Sequence, residues 1–303
     1  MPVFTEIANG LQFPEGPVAM PDGSVLVVEI RRGTLSRVLP DGRVEVIATL
    51  GGGPNGAAIG PDGRCYICNN GGFEWIEVNG QFYPGEQPAD YSGGRIEAVD
   101  LETGAVEVLY THCDGEPLKG PNDIVFDRHG GFYFTDFGKT RHRDMDRGGI
   151  YYARPDGSLI REVLFPCMNP NGIGLSPAED RLYVAQTMTC RLVGFDIRAP
   201  GEIVPAMDSE AMLAGFANYQ LFDSLAVDAT GNICVATLVN GGITVIAPDG
   251  SHSRHVATPD PMTTNICFGG KELRTAFITC SMTGRLLSCE WDTPGLPLNF
   301  LNR

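Results

Sequence analysis

Positive charge is scarce in this chain. Only 22 Lys and Arg stand against 37 Asp and Glu over 303 residues, a formal net charge of −15 at pH 7. Such a surface repels polyanions, and no basic run offsets it locally, so nucleic-acid binding is set aside. Long apolar runs are missing too: no window approaches the roughly 18 continuous apolar residues of a membrane span. Residues 1–10 lack the basic-then-apolar order of a secretory leader. The nine cysteines are odd in number and follow no framework, which suits a reducing cytoplasm. Cys65 and Cys68 have CxxC spacing, but they fall on a run that reads as a strand, where their side chains would point to opposite faces. Buried thiols are expected there, not zinc. No G-x-S-x-G elbow is present. The G-x-G-x-x-G match at Gly51 to Gly56 leads into a turn and strand, not a helix, which argues against a dinucleotide site. Helical periodicity is almost absent, and only Ser209 to Ala214 reads as a turn or two of helix.

What the chain has in quantity is turns and repetition. Gly 39 and Pro 22 exceed average usage, and 43% apolar residues are enough for a sizeable core. One pattern recurs six times: Phe13-Pro14-Glu15-Gly16-Pro17, Pro54-Asn55-Gly56, Pro121-Asn122-Asp123, Pro170-Asn171-Gly172, Phe222-Asp223-Ser224 and Thr264-Asn265-Ile266. Each copy is followed by a short apolar run, a turn and an extended apolar run. The marker residues 15, 55, 122, 171, 223 and 265 are 40, 67, 49, 52 and 42 residues apart, close to the roughly 40–50 residues of a four-stranded propeller blade. Pro-Asp-Gly at 21–23, 40–42, 61–63, 155–157 and 248–250 marks hairpins between apolar runs. The reading is all-β: a single six-bladed β-propeller over residues 1–303. The strand Val3 to Ile7 has no local partner and is assigned to the outer edge of the sixth blade, closing the ring. The one long interval holds an insertion at about 69–94, rich in Gly, Pro and aromatics (Phe73, Trp75, Phe82, Tyr83, Tyr91). It reads either as a lid or pocket wall or as a packed surface loop.

The markers differ in chemistry. In a propeller the innermost strands line the central channel, so equivalent positions at their starts form a ring at one mouth. Glu15, Asp223 and several Asn amides around one point make an all-oxygen shell with two formal charges. That suits a hard divalent cation, Ca²⁺ foremost, with Mg²⁺ or Mn²⁺ as further options. Turn capping explains Asn-Gly at 55 and 171, but it accounts poorly for Glu15 and for Asp223-Ser224. Of the histidines, His142 sits in a polar loop that could edge a pocket, although a solvated loop is the plainer reading.

Phe13-Pro14-Glu15-Gly16-Pro17, Gly120-Pro121-Asn122-Asp123, Pro170-Asn171-Gly172-Ile173-Gly174-Leu175-Ser176-Pro177 and Asp223-Ser224-Leu225-Ala226-Val227-Asp228 resemble the motifs of the regucalcin/gluconolactonase family, which is itself similar to diisopropyl fluorophosphatase. The resemblance spans nearly the whole chain, in order. It implies one catalytic divalent metal in the channel, held by Glu15, Asn171 and Asp223, with Zn²⁺ or Fe²⁺ as further options. Asn122 would then stand beside the metal, as a fourth ligand or as a hydrogen-bond donor to substrate. Asn55 and Trp75 are assigned to substrate binding. One position departs from the pattern: sugar-binding regucalcins carry Arg two residues before the Asn that matches Asn122, and this chain has Gly120.

The expected function is metal-dependent hydrolysis of a sugar lactone (gluconolactone-like) or another small lactone to its hydroxy acid, by a cytoplasmic enzyme with neither a nucleic-acid nor a membrane partner. The nucleophilic water would be activated by Asp223 or would be a metal-bound hydroxide. Two other readings are a phosphotriesterase or fluorophosphatase at the same metal, favoured by a larger apolar pocket, and a non-catalytic calcium-binding propeller. The oligomeric state is not written in the sequence.

Overall fold

A computed structural model describes residues 2–206 and 208–303. The Asp-Gly signals become hairpins. In all five Pro-Asp-Gly turns the glycine takes a left-handed φ between +73° and +87°. In each, the Asp carboxylate accepts the backbone N–H two residues on, as in Ser24 N–H to Asp22 Oδ1 at 2.9 Å. This is why Asp precedes Gly at these sites.

The hairpins assemble six antiparallel sheets whose innermost strands are Pro14–Ala19, Pro54–Ile59, Pro121–Phe126, Pro170–Leu175, Leu221–Val227 and Thr263–Gly269. Each inner strand lies against the next, and the sixth lies against the first, so the sheets close a ring as a six-bladed β-propeller. Closure uses the N-terminus as anticipated: Thr5–Ala8 pairs antiparallel with Arg285–Glu290 as the outer strand of blade six. Apolar clusters fill the spaces between blades. Cys65 packs with Leu26 and Val28 toward blade one, while Cys68 packs with Phe126 and Phe134 toward blade three, so the CxxC pair does face opposite ways.

The helix expected at Ser209 to Ala214 is shorter. Asp208–Ala211 is helical, and Met212–Gly215 is a strand that pairs Leu192 with Ala214 on the outer side of blade four. The open edge of the strand Arg191–Ala199 supplies backbone partners that one helical turn cannot match.

All six inner strands share a feature that the repeat does not announce. Each gains one residue on its neighbour at the marker or directly beside it, as between Glu15 and Val18, Phe222 and Leu225, or Thr263 and Asn265. A bulge of this kind re-aims a side chain, and here it lies at the marker end of every inner strand. Glycine after the marker lets neighbouring strands approach: a Cβ at Gly16 would lie 2.5 Å from the carbonyl oxygen of Asn55, and one at Gly56 equally close to that of Asn122.

Candidate functional site

Five of the six markers (Glu15, Asn55, Asn122, Asn171 and Asp223) line one cavity of about 300 Å³ at a mouth of the channel. The sixth, Asn265, lies beneath them and donates from Nδ2 to Glu15 Oε2 at 2.8 Å. Glu15 Oε2 also accepts the Gly16 N–H at 2.7 Å. Asn171 Nδ2 donates to Asp223 Oδ1 at 2.6 Å and to Thr187 Oγ1 at 3.1 Å.

These carboxylates are costly. Glu15 is 2% exposed and Asp223 9%. Burial first, and then the negative charge of Asp223, holds the Glu15 carboxyl well above the usual range. Burial lifts Asp223 to about 8, with Asp123 adding to the rise and the Asn171 hydrogen bond opposing it. Asn122 Oδ1 is buried and has no hydrogen-bond partner. Two facing carboxylates and an orphaned amide oxygen make a site rich in acceptors and short of positive charge. Among the described residues no group of three or more His, Cys, Asp or Glu is placed to hold a metal; the oxygen donors here are two carboxylates plus Asn amides.

The insertion walls the cavity. Trp75–Val78 and Gln81–Pro84 form a hairpin, and Phe73, Tyr83, Pro84, Gly85 and Gln87 face the space above the markers. The insertion reaches its neighbours: the Arg31 guanidinium lies over the Phe82 ring, and the Gln87 N–H, just past the hairpin, donates to Thr140 O at 2.8 Å. Trp75 is not itself a lining residue. Its ring packs at 5.1 Å from Phe13 and 6.3 Å from Phe73, both of which do line the cavity. His142 is solvated, with a side chain 85% exposed.

Three residues of this region escaped the sequence reading. Asp123 stands where the other copies have Gly, Ser or Ile. It is buried, accepts the N–H groups of Ile124 (2.9 Å) and Ile173 (3.3 Å), and is pushed up to about 7 by burial. It faces a second, smaller space of about 100 Å³ on the far side of the markers. The break in the repeat at that position was the available signal. Lys139 lines the main cavity at 2% exposure, donating from Nζ to Asn70 Oδ1 (3.1 Å) and Gly72 O (2.5 Å), with the Phe73 ring 4.1 Å away. Burial lowers its pKa to about 7 against the opposing pull of Asp136 and Asp146. Asn70, the third, is 2% exposed and lines the same cavity. Nothing local in Phe137-Gly138-Lys139-Thr140 distinguishes this lysine from a solvated one. Position 120, by contrast, is closed to any side chain: a Cβ there would lie 2.5 Å from Gly138 O.

At the opposite mouth the C-terminal residues Leu296, Pro297, Leu298, Asn299 and Arg303 line the smaller space. They are tied down by Glu179, whose carboxylate accepts from Arg128, Asn299 and Arg303 at 2.6–3.0 Å.

A family model described as SMP-30/Gluconolactonase/LRE-like region matches residues 13–282. Among curated relatives, a gluconolactonase of Zymomonas mobilis is 28% identical over 91% of this chain and 78% of its own length. The lactonase drp35 of Staphylococcus saprophyticus is 30% identical over 83% of this chain and 71% of its own. In fold, the chain matches a gluconolactonase of Xanthomonas campestris (TM-score 0.76, 22% identical, covering 97% of this chain and 90% of that one). It also matches regucalcin, a calcium-binding protein from Agrobacterium tumefaciens (TM-score 0.74, 18% identical, covering 97% and 94%). With its markers, order and fold in agreement, the chain belongs to the SMP-30/gluconolactonase/LRE-like family.

Proposed function

We propose that the protein is a lactonase that opens a sugar-type or other small lactone to its hydroxy acid, using one divalent cation at the marker ring. The observation that carries the reading is the pairing of buried Glu15 and Asp223 beside the unpartnered Asn122 Oδ1 on a cavity floor. The donor chemistry fits a hard cation. Glu15, Asn171 and Asp223 would hold it, and Asn122 offers the orphaned oxygen as a further ligand. The names of the curated relatives support the reaction class. The nine buried cysteines, scattered through the blades without a disulfide framework, support a reducing, cytoplasmic setting.

When bound, the cation would polarise the ester carbonyl and stabilise the negative charge that develops there. The residues do the rest. Asp223, its second oxygen free of the Asn171 bond, accepts a proton from the attacking water. The hydroxyl adds to the carbonyl carbon, the ring C–O bond breaks, and the ring oxygen leaves as the new alcohol on taking up a proton. Asn171 orients Asp223 through its 2.6 Å hydrogen bond, and the Thr187 hydroxyl fixes Asn171 in turn. The cavity walls (Phe13, Ile30, Phe73, Phe137, Leu221, Leu238) exclude bulk water and hold the carbon skeleton.

Those apolar walls also favour a second reading, hydrolysis of a phosphotriester at the same floor. The test is chelation of the purified protein followed by assay of a lactone panel and a phosphotriester with Ca²⁺, Mg²⁺, Mn²⁺, Zn²⁺ or Fe²⁺ restored. Lactone opening lost with the cation and regained with one of them is expected. Lactone turnover that survives exhaustive chelation, or turnover of the triester alone, sinks the primary reading.

A further inference from the structure

The cavity has two chemical ends. Its floor presents acceptors, while its wall, where the insertion meets blade three, presents donors that the protein satisfies only in part. Among the described residues Lys139 is the only cation that lines it. Two of its three N–H groups are spent on Asn70 Oδ1 and Gly72 O, both neutral acceptors. The carboxylates that could neutralise it are engaged elsewhere: Asp136 accepts the backbone N–H groups of Lys119, Gly120 and Gly138, and Asp146 pairs with Arg141 at 2.9 and 3.0 Å. No ion pair to Lys139 occurs among the described residues.

Asn70 is the second, independent observation. Its Oδ1 accepts from both Lys139 Nζ and the Gly72 N–H (2.9 Å), so two donors fix which way the amide points. Its Nδ2 is thereby turned away and is a buried donor with no partner. A buried ammonium lacking a counter-ion and a buried amide N–H lacking an acceptor, bridged by one oxygen, are each expensive alone. Together they fit an anionic group of two or three oxygens.

We propose that Lys139 and Asn70 form a subsite for an anionic substituent, a carboxylate or a phosphate, carried by the lactone at a position remote from its ester. This rests on the lactonase reading and narrows it from sugar-type lactones to acidic ones. The insertion then has a specificity role: it supplies Asn70 and Gly72 as acceptors and the Phe73 ring against the stem and charge of Lys139.

The test compares the γ-lactone of glucaric acid, which carries a carboxylate, with the γ-lactone of gluconic acid, which has a hydroxymethyl group in its place. The δ-lactone of a sugar-acid phosphate forms the third arm. A charge-assisted hydrogen bond is worth at least about tenfold, so wild-type kcat/KM should favour one acidic lactone over the neutral one by that factor or more. Whichever acidic arm wins names the anion. Lys139→Met and Asn70→Ala should each bring the ratio toward one, mainly through KM, while Lys139→Arg keeps most of it. A wild type indifferent to charge, or a Lys139→Met that retains the wild-type ratio with an unchanged melting profile, overturns the proposal.

Calorimetric binding of open-chain glucarate against gluconate reads the same subsite without turnover. Preference for glucarate that vanishes in Lys139→Met, with no lactone hydrolysed, keeps the subsite and sinks the lactonase reading. Hydrolysis of acidic and neutral lactones at equal rates does the reverse.

Discussion

The two mouths of the channel are the opposite ends of the same six strands, and they are finished in opposite ways. At the far mouth polar groups are answered: Glu179 collects Arg128, Asn299 and Arg303, and only about 100 Å³ is left open. At the marker mouth they are not. Asn122 Oδ1 and Asn70 Nδ2 are buried without partners, Glu15 and Asp223 are pushed toward their neutral forms, and about 300 Å³ stays open. Asn169 Oδ1, Arg181 Nε and Trp291 Nε1 are also buried without hydrogen-bond partners, but among the described residues only Asn122 and Asn70 join that state to an open cavity with two buried carboxylates, and this combination marks the working end. The six inner strands repeat through both mouths; the insertion and the marker side chains break the repeat at one, the C-terminal residues at the other.

The largest effect should come from the marker mouth. Asp223→Asn removes the proton acceptor and one negative charge from the floor while preserving shape, and should lower kcat/KM by about 10³-fold. Glu179→Gln at the far mouth should leave kcat/KM within about twofold. Comparable kinetic losses for the two would erase the distinction between the ends.

Cation binding should separate the mouths next. Without a cation the folded state holds a proton on Asp223 up to about pH 8, whereas the unfolded chain releases it near pH 4. Between those values the native state binds more protons, so the stability of the chelated protein should fall as pH rises from about 4 to 8. The Glu15 shift has the same direction. A divalent cation at 100 times its Kd should restore about 2.7 kcal/mol, most fully near pH 8 and progressively less toward pH 5, where protons compete. Thermal midpoints with chelator and with cation at both pH values check this. A chelated protein most stable at pH 8 would contradict the charge assignment.

Legibility in the sequence follows the range of the causes. Blade number, the five Pro-Asp-Gly turns and ring closure by the N-terminal strand depend on local turn chemistry and on repetition, and the spacing alone exposes the insertion. The marker ring was legible for the same reason. The bulges were not, because a bulge is a property of two paired strands and neither shows it alone. Lys139 and Asn70 were missed because the burial of one depends on residues about 70 positions from it. The tail of the expected helix at Ser209 to Ala214 was lost to pairing with Arg191–Ala199, a long-range contact that overrides weak local propensity.

Stability should respond in the reverse order to activity. Glu179→Ala removes the acceptor that ties the C-terminal residues to blades three and four, and should cost about 2 kcal/mol in denaturant melts, with kinetics at saturating lactone unchanged. A loss of activity larger than the loss of folded protein would show that the far mouth also shapes the working end.

The smallest effect tests the comparison at its narrowest point, between adjacent residues. Asn122 and Asp123 sit on one bulge, yet Asn122 Oδ1 lies unpartnered at the large cavity while Asp123 turns to the small one and is satisfied by the Ile124 and Ile173 N–H groups. If direction, not the number of nearby charges, decides what holds the cation, Asn122→Asp should tighten divalent binding by about tenfold, roughly 1.4 kcal/mol, because ligand charge tunes oxygen-only sites. Asp123→Asn removes a charge one residue away and should leave the affinity within about twofold. In chelator the order reverses for stability: Asn122→Asp adds a third carboxylate to an unneutralised floor and should lower the melting point, more at pH 8 than at pH 5. Equal changes in cation affinity from the two substitutions would mean that the channel acts as one undivided pool of charge, with no oriented ligand set at its mouth.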